Sequence, residues 1–306
     1  MEARATIVLQ WCAWSLLHEA RMSMRYGVLA DVHGNAFALR TALDSLAAAG
    51  VDGWLCAGDI VGYGPQPNEC VDLLVERDVR CVAGNHELLV LGRLQLDDSG
   101  RLARETTPWT RSVLTEDSRR YLAALPATVR LPGLLMAHGS VADARTYVRE
   151  ETQARDQLRE MRRLDAGAEV LVLGHTHRQW MFGESSGTVP IGSAPAPLPT
   201  GGVLLNPGSV GQSRETERVP RARFLLLDLE RRHVRFFVEP YDVQAALAAL
   251  RQHGLPRSCL HVPRGRVRAI PRRAGTLMRY ACRRVGGPNM VRRRAPEAAD
   301  PVNESR

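Results

Sequence analysis

Six short motifs place metal-ligand side chains at intervals along this chain. They are Asp31-Val32-His33, Gly58-Asp59, Gly84-Asn85-His86, Ala137-His138-Gly139, Gly174-His175-Thr176-His177 and Asn206-Pro207-Gly208-Ser209. The first five offer carboxylate, imidazole and amide donors for two metal ions, and five of the nine histidines fall inside them. Imidazole nitrogens suit Mn, Fe, Ni, Co or Zn better than Ca or Mg. Two such ions side by side make water nucleophilic near neutral pH and offset charge on a phosphoryl group. The pattern therefore points to attack of water on phosphorus. Asp31 and His33 can reach one ion from a single loop. Asp59 is a natural bridge, because its two oxygens can hold two ions about 3.5–4 Å apart. Taken singly, several of these residues have plainer readings. Asp31 and Asn35 are both good N-caps for the helical stretch that follows; the cap is the stronger reading for Asn35 and the ligand for Asp31. His86 alone reads as a structural histidine, and one Asp-x-His is weak. The ordered set is specific.

The elements that must position these residues alternate. Apolar runs over 26–30, 53–57 and 79–83 read as strands, with helical spacing over 35–49 and 67–77 between them. Such alternation predicts parallel strands with crossover helices, in which ligands bind beyond the carboxyl ends of strands. Asp31, Asp59 and Asn85 each fall one or two residues past a strand, as do His138 after 134–137 and His175 after 170–173. Residues 87–126 read as polar-faced helices beside the site, and residues 183–202, rich in Gly, Pro and Ser, as a loop. A hairpin is expected over 222–229 and 233–238, and a closing helix over 241–253.

These motifs resemble those of the calcineurin-like metallophosphoesterase superfamily. The stretches Gly58-Asp-Ile-Val-Gly-Tyr-Gly-Pro-Gln-Pro-Asn-Glu-Cys-Val and Asn206-Pro-Gly-Ser-Val-Gly-Gln212 are similar to its small bacterial branch, related to diadenosine tetraphosphatase and single-domain phosphodiesterases. The resemblance covers residues 24–255. It implies a four-layer αββα sandwich of two mixed sheets flanked by helices. It also implies that Asp31, His33 and His177 hold one metal, that Asn85, His138 and His175 hold the other, and that Asp59 bridges. His86 would face substrate and stabilise the transition state or protonate the leaving oxygen. Gly208, Ser209 and Arg214 follow a motif and are candidate substrate contacts, Arg214 as a fork donor to phosphate. In the protein Ser/Thr phosphatases of the superfamily the second motif carries a further Asp and an Arg; here Gly62 and Tyr63 stand in those places. That departure favours a phosphodiester or nucleotide over a phosphoprotein as substrate, and it leaves the group that orients His86 unidentified, with Glu87 the adjacent carboxylate. Mn is the favoured metal of the two-ion site.

Composition narrows the rest. A chain of 306 residues with 44% apolar content can bury a full core. It contains no run of 18 apolar residues, so no transmembrane segment is expected. Six cysteines without a CxxC pattern read as small core residues of a reducing, cytoplasmic protein. The net charge of +8 is local: residues 255–306 hold 13 Arg against Glu297, Asp300 and Glu304, which leaves the first 254 residues at −2. The expected organisation is an extension at 1–23 outside the fold, with Met22 and Met24 as alternative starts, then a catalytic domain at 24–254 and an Arg-rich, weakly ordered tail at 255–306. The apolar stretch 7–17 lacks the small-x-small pattern that would mark a signal peptide. A solvated tail is favoured over a nucleic-acid contact, because Arg272-Arg273 and Arg292-Arg293-Arg294 lack interleaved aromatics.

Overall fold

Strands whose apolar residues run on without interruption are strands buried on both faces. The computed structural model, which describes residues 25–262, shows how this chain covers both. β1 (Arg25–Leu29), β2 (Gly53–Cys56) and β3 (Arg80–Cys81) lie parallel, joined by α1 (Ala36–Ala48) and α2 (Pro67–Glu76). There follow α3 (Asn85–Val90), α4 (Arg101–Val113), α5 (Glu116–Ala124), β4 (Val129–Leu131), β5 (Leu134–Met136), α6 (Glu151–Leu164) and β6 (Val170–Val172). The chain continues through β7 (Gln179–Gly183), β8 (Gly187–Val189), β9 (Ala196–Pro197), β10 (Val203–Pro207), β11 (Ala222–Asp228), β12 (His233–Glu239) and α7 (Val243–Gln252).

Two mixed six-stranded sheets result, in the orders β3-β2-β1-β11-β12-β9 and β4-β5-β6-β10-β7-β8. Alternate residues of each strand serve different layers. Val28, Leu55, Leu225 and Leu227 of the first sheet meet Met136, Val170, Val172 and Leu205 of the second. Leu29, Cys56 and Phe224 face the other way, against Leu39, Leu43 and Leu46 of α1 and Leu74 of α2. Leu135, Leu171, Phe182 and Leu204 turn out against Ala154, Leu158 and Met161 of α6. This is the expected αββα sandwich.

Local chemistry sets the element ends. Asn35 caps α1, its Oδ1 accepting the Ala38 N–H at 3.1 Å, while its Nδ2 donates to the Gly211 carbonyl at 3.0 Å. Residues 87–126 are helical as expected, but Leu114 and Leu122 are built into the core beside α2 rather than hung over the site. The 183–202 segment, read as a loop, contains β8 and β9, which close one edge of each sheet. The packed chain also runs past Gly254. Cys259 and Leu260 are buried, Gln212 Nε2 donates to the Ser258 carbonyl at 3.1 Å, and Ser213 bridges His261. The extension at 1–23 and the rest of the Arg-rich tail lie outside the described residues. Among the described residues no helix is long and apolar enough to cross a membrane.

Candidate metal centre

Parallel strands present their carboxyl ends on one side, and here two sheets do so together. Asp31 follows β1, Asp59 follows β2 and Asn85 opens α3 after β3; His138 follows β5, and His175 and His177 follow β6. The loop after β10 closes beneath them: Val210 N–H donates to Ala30 O at 3.0 Å and Gly211 N–H to Asp31 O at 3.0 Å.

The turns that deliver these side chains are strained. Asp31, His33, Asp59, His175 and His177 all have φ between 51° and 66°, as does Tyr63 at 61°. Such left-handed backbone costs a non-glycine residue about 1–3 kcal/mol and persists only where its surroundings over-determine it. Here they do. Asp31 N–H donates to Gly58 O at 2.9 Å and His33 N–H to Asp59 O at 2.9 Å. The Asp31 carboxylate accepts the His175 N–H at 3.0 and 3.1 Å, so the first loop fixes the fifth.

Glu87 ties in the second and third motifs. Its buried carboxylate accepts four backbone N–H groups: Ile60 at 2.8 Å and Val61 at 3.1 Å on Oε1, Asp59 at 2.9 Å and Gly84 at 2.7 Å on Oε2. Burial, with the nearby Asp59 carboxylate, pushes its acid up to about 7 against the pull of these donors. Glu87 therefore holds the backbone around Asp59. The adjacent His86 ring is instead packed against Tyr63 at 4.3 Å and His33 at 4.8 Å, and its buried Nδ1 has no partner. Gly62 is required there. At φ +84° its Cα lies so close that an added Cβ would stand 2.2 Å from that Nδ1.

All seven expected ligand side chains converge. Asp31, His33, Asp59 and His177 form one group of buried donor atoms, and Asp59, His138 and His175 a second, with Asp59 in both. Asn85 Oδ1 joins the second group, 3.1 Å from His138 Nε2. The tautomers follow from backbone carbonyls, which only accept. His138 Nδ1 faces Ala57 O at 2.6 Å, His177 Nδ1 faces Gln212 O at 2.8 Å, and His175 Nε2 faces Arg145 O at 3.1 Å. Each of these nitrogens carries a proton, so the other nitrogen of each ring points inward. His138 Nε2 and His175 Nδ1 then confront one another at 3.2 Å, with Asp59 Oδ2 3.2 Å from His138 Nε2. His177 Nε2 lies 3.1 Å from His33 Nε2 and 3.4 Å from Asp31 Oδ1.

Acceptors crowded in this way need cations or protons between them, and that is the fit to divalent metal. The acid–base balance agrees. Burial pulls His138 down, but the Asp59 and Asp31 carboxylates outweigh it and hold it up to about 10. Burial raises Asp31 to about 8 and holds His33, His175 and His177 well below the usual imidazole range. The neutral imidazoles of His33, His175 and His177, with protons on His138 and Asp31 that a bound cation would displace, are the kind of donor set a transition-metal site uses.

The remaining expected contacts divide. Arg214 is half-buried, its Nε donating to Gln212 Oε1 at 3.2 Å, and its charge bears on Asp31. Gly208 and Ser209 have internal partners instead. Gly208 N–H donates to Asn206 Oδ1 at 2.9 Å; the buried Ser209 hydroxyl donates to Asp31 O at 2.8 Å and accepts the Gln212 N–H at 2.9 Å. These groups brace the Asp31 turn. Sequence reasoning missed Tyr147, whose ring lies 3.9 Å from that of His175. No spacing rule marks it.

Residues 24–232 match the calcineurin-like phosphoesterase superfamily domain. A crystal structure of a metallophosphoesterase from Sphaerobacter thermophilus is 30% identical, covers 78% of this chain and 97% of its own, and superposes with a TM-score of 0.68. An uncharacterized protein of Methanocaldococcus jannaschii is 28% identical over 243 residues, 75% of this chain and 93% of its own length. A hypothetical protein from Pyrococcus horikoshii shares the fold at 21% identity and a TM-score of 0.60, over 77% of this chain and 96% of its own.

Proposed function

The chain belongs to the calcineurin-like phosphoesterase superfamily, and from that premise we propose that it is a two-metal hydrolase of phosphate esters, acting on phosphodiesters or nucleotides. One observation carries the reading: six buried carboxylate and imidazole side chains gather, with half-buried Asn85, into two groups that share the Asp59 carboxylate. Asp31, His33 and His177 would hold one ion, Asn85, His138 and His175 the other, and Asp59 both. Mn²⁺ is the favoured ion among the transition metals this donor set accepts. When bound, such a pair lowers the pKa of water and neutralises phosphoryl oxygens.

The chain's own groups supply the rest. His86, packed against His33 of the first group with its Nδ1 enclosed beside Gly62, donates a hydrogen bond from Nε2 to the phosphoryl or leaving oxygen. Arg214 offers its guanidinium to a phosphate oxygen from the edge of the cluster. It replaces the arginine that protein phosphatases of the superfamily carry where Tyr63 stands here, and this supports a small ester over a phosphoprotein.

The test is hydrolysis of bis(4-nitrophenyl) phosphate and 4-nitrophenyl phosphate with added Mn²⁺, compared with Asp59→Ala and His86→Ala. The expected result is metal-dependent turnover, faster on the diester and lost in Asp59→Ala. Absence of turnover with any transition metal would instead mark a binding module that keeps the fold.

A further inference from the structure

Residues 24–232 carry the family match, yet the packed chain runs on to Val262 and its last stretch is tied to the loop after β10. Ser213 N–H donates to Leu260 O at 3.0 Å, and Val262 N–H donates to Ser213 O at 2.9 Å. His261 Nε2 donates to Glu215 O at 3.0 Å. Cys259 and Leu260 are buried in the same apolar cluster as Tyr63 and Leu250. This stretch is therefore anchored both by apolar burial and by backbone pairing.

Gln212 joins it to the metal centre. The residue is 1% exposed, and all four of its polar groups are engaged. Its N–H donates to Ser209 Oγ at 2.9 Å, and its carbonyl accepts the His177 Nδ1 proton at 2.8 Å. Its side-chain Nε2 donates to Ser258 O at 3.1 Å, and its Oε1 accepts the Arg214 Nε proton at 3.2 Å. A flipped amide would set oxygen against the Ser258 carbonyl and N–H against the Arg214 N–H, so only one orientation satisfies both ends. The Ser258 carbonyl thus decides which way the amide faces, and the amide fixes Arg214. A neutral amide does this without spending the arginine's charge. Arg223, by contrast, gives both arms of its fork to Glu217. The Arg214 charge also bears on Asp31 and His33. An arginine already held in one pose has less rotamer freedom to lose when a ligand binds.

We propose that the segment Pro256–Val262 completes the active centre: through the Ser258 carbonyl and Gln212 it holds Arg214 in the pose that receives a phosphate oxygen. This rests on the hydrolase reading and deepens it. Gln212 is a positioning residue. It acts on substrate through Arg214, and its effect belongs to binding rather than to the chemical step.

The experiment uses the full chain loaded with Mn²⁺ and bis(4-nitrophenyl) phosphate as substrate. Gln212→Met removes both side-chain bonds at similar volume. Leu260→Asp displaces the segment by placing a carboxylate in an apolar site. Each should raise KM about threefold to tenfold, with kcat and bound Mn²⁺ within about twofold of the native chain. Neither should add to the effect of Arg214→Met when combined with it. Should Leu260→Asp fail to fold by circular dichroism, Gln212→Met carries the test alone. An unchanged KM in Gln212→Met, or an equal rise with Arg214 already replaced, overturns the proposal. So does a loss of bound Mn²⁺ at unchanged KM, which would make Gln212 a brace for His177 only. Calorimetric binding of inorganic phosphate to the Mn²⁺-loaded chain reads the same contact without turnover. If the native chain hydrolyses nothing but phosphate affinity falls equally in Gln212→Met and Arg214→Met, the hydrolase reading fails and the positioning role stands.

Discussion

Asp59 is the residue at which both groups of the candidate metal centre meet. Its Oδ1 accepts the His86 N–H at 2.8 Å, and its Oδ2 faces His138 at 3.2 Å and His33 at 3.8 Å. Three substitutions nearby separate backbone placement from chemistry. His86→Ala removes a donor without touching the acceptor cluster, so kcat should fall about a hundredfold to a thousandfold while bound metal, measured by elemental analysis, stays at the native level. Gly62→Ala should imitate it, because a Cβ there meets the His86 ring and a φ of +84° adds backbone strain. Glu87→Gln acts differently. An amide presents one acceptor where four N–H groups now share two oxygens. Stability should drop by about 2–4 kcal/mol in urea titrations, since charge-assisted bonds are lost and buried N–H groups stranded. Amide exchange at residues 59–61 and 84 should quicken together. A variant that keeps native exchange there would remove Glu87 from this positioning role.

At the scale of elements, what could be read in advance depended on whether the signal was local. Asp59, Asn85, His138 and His175 each stand next to a glycine just past a strand, and Asp31 follows β1 three residues before Gly34, so these candidate ligands were legible as a set. The apolar spacing of α1 and the alternation of β11 and β12 were equally plain. α6 was hidden because only Ala154, Leu158 and Met161 of its fourteen residues are buried, among arginines and acids. β8 and β9 were hidden because three and two residues rich in Gly and Pro carry no period. The roles of Glu87 and Ser209 depend on backbone groups far away in sequence, which no motif records. The loop between β10 and β11 shows the same dependence. Glu217 pairs with buried Arg223 at 2.8 Å through both oxygens and accepts the Ser213 hydroxyl at 2.6 Å. Burial would raise its acid, but the bonds to Arg223, Ser213 and Arg221 outweigh it and bring Glu217 down from 4.5 to about 2. A lowered carboxyl contributes stability above its unfolded value, and that contribution fades as pH falls from about 4.5 towards 2. Glu217→Gln should therefore lower the urea midpoint at pH 7 and flatten the acid limb of stability within that window. An unchanged limb would place the acid sensitivity elsewhere.

For the molecule as a whole, the centre lies where two sheets that share no backbone hydrogen-bond ladder converge. β1, β2 and β3 supply Asp31, His33, Asp59 and Asn85; β5 and β6 supply His138, His175 and His177. Each group of candidate ligands draws on both sheets, so a cation bound in either would join them. Anything that binds the folded state and not the unfolded one adds stability by mass action, about 2.7 kcal/mol at a hundred times its dissociation constant. For a domain of this size that corresponds to a rise in Tm of roughly 5–10 °C. The chelator-treated protein should show that rise on adding Mn²⁺. In Asp59→Ala both groups lose a member, and the rise should shrink to about 2 °C or less. The metal-free variant should itself be weaker than the native chain, because the His86 N–H loses its acceptor and His138 its carboxylate partner, so the comparison is of the rise and not of the starting Tm. If instead Mn²⁺ shifts both proteins equally, the stabilising ion sits away from Asp59, and the two sheets are held by their apolar interface alone.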